Sequence, residues 1–188
     1  YRGFAPLVNM LINGETEIGV SAIFGAEEYD RGHLIAQRST AIEYPITISE
    51  AIAINNDNYV KLIELIVSRL AAGDDLVGIP QDENRATYSI WRDHDDYKID
   101  WHSTAAKIKR MIDAVGYPYL GAWTSTSKGE KIKIVDAEVV KDVICRPRHV
   151  GKVIFVNEGL PTVICGEGLL QIRGAYSFQA RDEPYLPL

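Results

Sequence analysis

The sequence predicts an α/β layer followed by a small, separate β domain. Two observations carry that expectation. Over residues 1–75, short apolar runs alternate with helical periodicities, the order that lays helices against a sheet. After Pro118 the helical period gives way to five or six short strands in about 55 residues, which suits a small barrel or curled sheet. Between them, residues 76–116 read as a connector and linking helix, leaving 117–188 to the β domain.

Phe4, Leu7, Val8, Leu11 and Ile12 recur at helical spacing, with Pro6 in the first turn, where its missing N–H costs nothing, and Asn13-Gly14 as the stop. Next, Val20–Phe24, bounded by Gly19 and Gly25, reads as a buried strand and His33–Gln37 as a second. Ala26-Glu27-Glu28-Tyr29-Asp30 must turn the chain between them, and Gly32 lets it approach a neighbour closely. A loop of this kind presents backbone N–H and C=O groups, suited to the edge of a flat ring, and gives Asp30 a rigid mount for catalysis. The same residues are also ordinary turn chemistry. Thr47-Ile48-Ser49-Glu50 is a capping box opening a short helix to about Ile54. Asn55-Asn56-Asp57-Asn58 reads as a turn capping a second helix, with Tyr59, Leu62, Ile63, Ile66, Val67 and Leu70 as its apolar face and Gly73 closing it.

Residues 73–100 are polar and rich in turns, yet carry Tyr88, Trp91, Arg92 and Tyr97. Aromatics in such a connector either cover a core or stack on a ring ligand, and Arg92 either faces a phosphate or pairs with Asp93, Asp95 or Asp96. Ser103 reads as the cap of a helix lined by Ile108, Met111, Ile112 and Val115, ended by Gly116 and kept from continuing by Pro118. Ala122–Thr126 and Lys131–Val135 form a hairpin around Ser-Lys-Gly, with lysines and isoleucines on opposite faces. Further strands are expected at Val139–Ile144, Gly151–Asn157, Thr162–Cys165 and Leu169–Ala175. Gly166-Glu-Gly168 lacks a third glycine and a following helix, so it reads as a turn and not a nucleotide loop.

A hydrophobic content of 46% is ample for a core, and no apolar run approaches the roughly 18 residues of a membrane span. Cys145 and Cys165 each end a Val-Ile-Cys run and read as buried free thiols in a reducing cytoplasm; no His or Cys cluster has metal-ligand spacing. The net charge of −6 argues against a large polyanionic partner such as nucleic acid and permits a small nucleotide-linked one. Lys107, Lys109 and Arg110 on a helix, and Lys128, Lys131 and Lys133 on the hairpin, read as solvated faces without interleaved aromatics.

Tyr1-Arg2-Gly3-Phe4-Ala5-Pro6, Ile12-Asn13-Gly14-Glu15, Gly19-Val20, Tyr29-Asp30-Arg31-Gly32 and Gln37 resemble, in order and spacing, the folate-dependent formyltransferases. Ile99-Asp100-Trp101 and Pro118-Tyr119-Leu120-Gly121-Ala122 resemble the ends of that family's connecting helix, so the likeness runs along most of the chain. Tyr88-Ser-Ile-Trp-Arg-Asp93 and the acidic charge are most similar to the sugar N-formyltransferases, of the kind that serve lipopolysaccharide biosynthesis; methionyl-tRNA formyltransferase is the rival. The resemblance implies the C-terminal part of a Rossmann-like formyltransferase domain followed by a small OB-like β domain.

It also implies a reaction and a set of sites. A formyl group passes from 10-formyltetrahydrofolate, with no metal, to the uncharged amine of a nucleotide-linked amino sugar. The oxyanion needs preorganised donors, and protons must be moved from the amine and to the folate nitrogen. By the motif match Asp30 is the family's Asp, which orients and charges a catalytic His, and the Ala26, Glu27, Glu28 and Tyr29 backbone holds the pterin edge. Tyr88, Trp91 and Arg92 are the candidate substrate contacts. The family's Asn and His lie upstream of Tyr-Arg-Gly, and His33, His94, His102 and His149 do not occupy that His position. The chain is therefore expected to be the C-terminal part of a longer cytoplasmic enzyme, with a homodimer left open. The reading from another class is a non-catalytic fragment or binding module.

Overall fold

A computed structural model describes residues 1–178, which divide between two compact units. The first comprises Tyr1–Met10 and Glu15–Trp91; the second comprises Leu11–Gly14 and the chain from Arg92 onward.

In the first unit a short strand, β1 (Arg2–Gly3), leads into helix α1 (Pro6–Asn13), which opens on its proline and stops at Gly14 with φ +79°. Strands β2 (Glu17–Ile23) and β3 (Leu34–Ala41) pair antiparallel, from Glu17 opposite Ala41 to Ile23 opposite Leu34. Only one face of β2 is buried, through Ile18 and Val20, so the expected buried strand is half-buried and starts earlier. Gly19 lies inside it and not at its boundary. A Cβ there would stand 2.6 Å from the Arg38 carbonyl oxygen, so the cross-strand approach itself requires glycine.

Helix α2 (Ile48–Ala71) opens on the expected capping box: Thr47 N donates to the Glu50 carboxylate at 2.8 Å and Glu50 N donates to Thr47 Oγ1 at 3.3 Å. It then runs for 24 residues without the break expected at Asn55–Asn58. Asn55 and Asn58 share a face with Ala51 and Leu62 and are buried, and Thr40 Oγ1 on β3 donates to Asn58 Oδ1 at 3.0 Å. Asparagines that look like turn formers in sequence are held helical by packing on the hairpin, which overrides their propensity. The wide apolar face expected downstream is not a core face. Of its residues only Leu62 is buried, while Tyr59, Ile63, Val67 and Leu70 are exposed among the described residues. Gly73, at φ +84°, ends the helix. The connector carries strand β4 (Tyr88–Ser89), which pairs parallel with β1.

The second unit is built on helix α3 (Ala105–Ala114) and a five-stranded antiparallel sheet. Thr104, not Ser103, caps α3, accepting from Lys107 N at 3.2 Å. The basic helix face is only partly solvated: Lys109 pairs with buried Asp113 at 2.5 Å, and Arg110 Nε donates to Ile12 O at 3.2 Å. The strands are β5 (Ala122–Ser125), β6 (Lys131–Val140), β7 (Val153–Asn157), β8 (Leu160–Ile164) and β9 (Leu169–Ser177), in the order β5-β6-β9-β8-β7. β6 absorbs the start of the strand expected at Val139–Ile144. Irregular pairing around Asp136 puts both Ile134 and Ala137 inward, which breaks the two-residue period and made one strand read as two. Residues 141–144 form no strand, and Ile144 is 87% exposed. Arg148 ties that loop to the β8–β9 turn by donating to the carbonyls of Cys165 and Gly168 at 2.8 and 2.6 Å. Cys165 is buried as expected, which pushes its thiol up to about 11, whereas Cys145 is only half-buried. Ile108, Ile112, Ile134, Leu169, Leu170, Ile172 and Ala175 are buried in the core of this unit.

Candidate active site

The Asp30 loop is fastened at its base. Phe24 N donates to His33 O at 2.9 Å, and Leu34 and Ile79 exchange backbone hydrogen bonds at 2.8 and 2.9 Å. A Cβ on Gly32 would stand 1.7 Å from the Phe24 carbonyl oxygen, so only glycine permits this closure. Gln81 clamps the loop from the connector: its Nε2 donates to Asp30 O at 2.9 Å and to Gly32 O at 2.7 Å.

Asp30 sits at φ +59°, a region non-glycine residues seldom occupy, where aspartate is among the most tolerant. Glu158 shares that conformation, but in a two-residue hairpin turn with Gly159, where turn geometry demands it. At Asp30 it is maintained by tertiary bonds, the circumstance in which such backbone tends to serve function. Its Oδ2 accepts from Gly3 N at 3.1 Å. Gly3, at φ +103°, is irreplaceable for a second reason: a Cβ would meet Ser89 O at 2.6 Å. The Tyr1-Arg2-Gly3 and Asp30-Arg31-Gly32 motifs, far apart in sequence, thus meet at one hydrogen bond.

Arg2 extends the junction. It donates to both Glu83 carboxylate oxygens at 2.9 and 3.0 Å, to Gln81 Oε1 at 2.9 Å, and lies 5.7 Å from the Tyr88 ring centre. The hydrogen bond between Arg2 and Glu83 raises the guanidinium above its ordinary value and holds the Glu83 carboxyl below its own. Arg31 pairs with Glu28 at 3.0 Å.

Ala26, Glu27, Glu28 and Tyr29 are all exposed, Tyr29 at 95%. The backbone groups of Ala26 and Glu27 enter no hydrogen bond among the described residues, so they are free to meet a ligand edge. Tyr88 and Trp91 remain 60% and 69% exposed, Trp91 edge-on to Phe4 with ring centres 5.2 Å apart, while Tyr97 covers a core. Arg92 belongs to the second unit, where it donates to the Asp96 carbonyl at 2.7 Å and lies over the Tyr97 ring. The neighbouring carboxylates instead cap the local turn: Asp93 N donates to Asp96 and Asp95 N to Asp93.

Sequence reasoning missed Arg2 as a hub and missed Gln81 and Glu83 altogether. Only the strand pairing of Arg2 with Tyr88 reveals them, and nothing periodic marks them. It also misjudged the hairpin lysines. Lys131 Nζ lies 4.4 Å from the Trp123 ring centre, and Lys131 and Lys133 both lie 5.9 Å from that of Phe178, so these lysines are interleaved with aromatics. The signal was in the register, which sets Trp123 opposite Lys133. Among the described residues no group of His, Cys, Asp and Glu is arranged to hold a metal, and no helix is long and apolar enough to cross a membrane.

Residues 92–179 match the family "Formyl transferase, C-terminal domain". The chain is 35% identical over 173 residues to a methionyl-tRNA formyltransferase of Carboxydothermus hydrogenoformans, covering 92% of this chain and 54% of that protein. It thus spans about half the length of the curated relatives it matches. Among solved structures, an N-formyltransferase from Helicobacter canadensis in complex with folinic acid and dTDP-3-aminofucose superposes with a TM-score of 0.67 at 18% identity, over 94% of this chain and 62% of that one. HypX from Aquifex aeolicus in complex with tetrahydrofolic acid gives 0.68 at 18% identity, over 94% and 30%. These structural likenesses speak to the fold, and the sequence matches to the lineage. Residues 92–179 thus belong to the formyl transferase C-terminal domain family, and the chain is similar to formyltransferases over nine-tenths of its length.

Proposed function

We propose that this chain supplies the Asp30-bearing part of an enzyme that transfers a formyl group from 10-formyltetrahydrofolate to a primary amine. The observation that carries the reading is the Gly3–Asp30 junction. One carboxylate oxygen is spent on fixing the loop, and Asp30 as a whole stays exposed, so its charge remains available to a partner imidazole. The bound folate supplies the formyl carbon that the amine attacks. Around it, Asp30 supports a protonated imidazole while protons move, and the unengaged backbone of Ala26 and Glu27, with Glu28 and Tyr29, meets the hydrogen-bonding edge of the pterin.

For the amine we favour a nucleotide-linked amino sugar. The net charge of −6 supports it, as do the exposed rings of Tyr88 and Trp91, which offer faces to a base or sugar; Arg92 is the candidate for the phosphate. The setting proposed is the cytoplasm, with the enzyme acting as a monomer or a homodimer. A second reading, methionyl-tRNA as acceptor, is supported by the curated relatives at 31–35% identity. The test is an assay of the enzyme containing residues 1–188 with 10-formyltetrahydrofolate and each acceptor in turn. Turnover with the nucleotide-linked amino sugar and none with methionyl-tRNA is expected; the reverse selects the second reading, and failure with both rejects formyl transfer. A gel shift adds an independent arm, since a phosphate-tracking binder loses affinity steeply with salt.

A further inference from the structure

In an acidic chain, the second unit gathers three ammonium groups on one aromatic platform. Lys98 Nζ lies 5.5 Å and Lys131 Nζ 4.4 Å from the Trp123 ring centre, and Lys131 and Lys133 each lie 5.9 Å from the Phe178 ring centre. Two separate chain segments bring them there. Lys98 is bridged to Trp123 by parallel pairing, with Ile99 N donating to Trp123 O at 2.8 Å. Lys131 and Lys133 stand on the same face of β6, opposite Ser125 and Trp123 of β5, and Phe178 N donates to Lys131 O at 3.1 Å. The platform itself is fixed: Trp123 is 4% exposed, donates through Nε1 to His94 O at 2.9 Å, and packs against the His94 ring at 5.0 Å. Gly121 lets the Lys133 stem lie close, since a Cβ there would stand 3.0 Å from its Cδ.

None of the three lysines has an ion pair among the described residues. Asp95, which lies 3.6 Å from His94 Nδ1, is turned to solvent. Like charges gathered around one pair of rings repel, and the rings compensate them only weakly. An anion bearing more than one phosphoryl group would neutralise them, each phosphoryl group carrying roughly −1.5 to −2.

We infer that Lys98, Lys131 and Lys133 form a binding site for a small diphosphate-bearing ligand, the diphosphate of a nucleotide or pyrophosphate itself, on the second unit. The site stands on residues 94–178 alone and does not depend on formyl transfer. The test titrates uridine 5′-diphosphate and inorganic pyrophosphate into the 1–188 chain by calorimetry, with Lys131→Gln/Lys133→Gln as the site variant. Lys128→Gln/Lys152→Gln, which removes as much charge away from the rings, is the control. Saturable binding of either probe is expected, weakened at least about tenfold in the site variant, unchanged in the control and kept in Lys131→Arg/Lys133→Arg. Equal affinity for the two probes identifies recognition of the phosphoryl groups alone, and tighter nucleotide binding identifies a stacked base as well. No binding of either probe at 10 mM, equal losses in site and control variants, or a 12-residue oligouridylate binding more tightly than the nucleotide would each overturn the proposal. Unchanged circular dichroism of the site variant guards against unfolding as the cause.

Discussion

The two units stabilise themselves by different means. In the second, α3 and the sheet bury Ile108, Ile112, Ile134, Leu169 and Leu170 almost completely, and each such side chain contributes about 1.5–3 kcal/mol by leaving water. In the first, the hairpin and the start of α2 share a modest core, while the later turns of α2 present Tyr59, Val60, Ile63, Val67 and Leu70 to solvent. What holds the rest of that unit is polar: the local capping box and two long-range devices, the Gln81 clamp and the Arg2–Glu83 pair. A junction built from hydrogen bonds fixes backbone direction closely at low cost in burial, which is what a catalytic carboxylate needs and what a core does not supply.

If the polar devices of the first unit serve chemistry, the largest effect belongs to Asp30. In the intact enzyme, Asp30→Asn keeps side-chain size and an acceptor oxygen for Gly3 N but loses the charge. Turnover is expected to fall by about 10²–10⁴-fold, with folate affinity and melting temperature nearly unchanged. Normal turnover in a normally folded variant would reduce the junction to a turn. Core truncation gives the complementary result. Leu170→Ala in the second unit should cost about 2–5 kcal/mol in urea unfolding, whereas Ile63→Ala on the exposed face of α2 should stay within about 0.5 kcal/mol in the 1–188 chain. A large loss at Ile63 would show that the face is covered.

A smaller effect is expected at Gln81. Gln81→Ala removes two donors from the Asp30 and Gly32 carbonyls and an acceptor from Arg2. Water reaches this exposed loop, so the loss should be about 1–2 kcal/mol, read as faster amide exchange at Gly3 and Phe24 with exchange in β9 unaffected. Equal acceleration in both units would erase the contrast between them.

Legibility in the sequence followed the range of the forces. Thr47-Ile-Ser-Glu50, Gly14, Gly73 and the Ser-Lys-Gly turn could be placed because each is decided within four residues. Asn55–Asn58 could not: whether those side chains break a helix or pack on β3 is decided by Thr40, far away in sequence. The split of β6 failed for a similar reason, since the irregularity at Asp136 belongs to the pairing with β9 and not to β6 itself. At the candidate site the motif located Asp30, whereas Gln81 and the Trp123–lysine platform exist only through long-range pairing.

The smallest effect tests whether the local devices of the first unit act through charge. Glu50 accepts from Thr47 N and Thr47 Oγ1, first the backbone bond and then the side-chain bond, and both hold its carboxyl below the ordinary 4.5. A carboxyl depressed in the folded state contributes fully above its unfolded value and loses that contribution as pH falls through the folded value. Thr47→Ala removes the cap and should cost about 1 kcal/mol near neutrality. Part of that cost depends on ionised Glu50, so the gap between wild type and variant should narrow as pH falls from above 4.5 toward 3. Urea unfolding of the 1–188 chain at a series of pH values checks this. A gap that stays constant across the series would assign the cap wholly to the neutral Oγ1 acceptor, and the charged contribution to the first unit's polar junction would then lie with ion pairs such as Arg2–Glu83 and Arg31–Glu28.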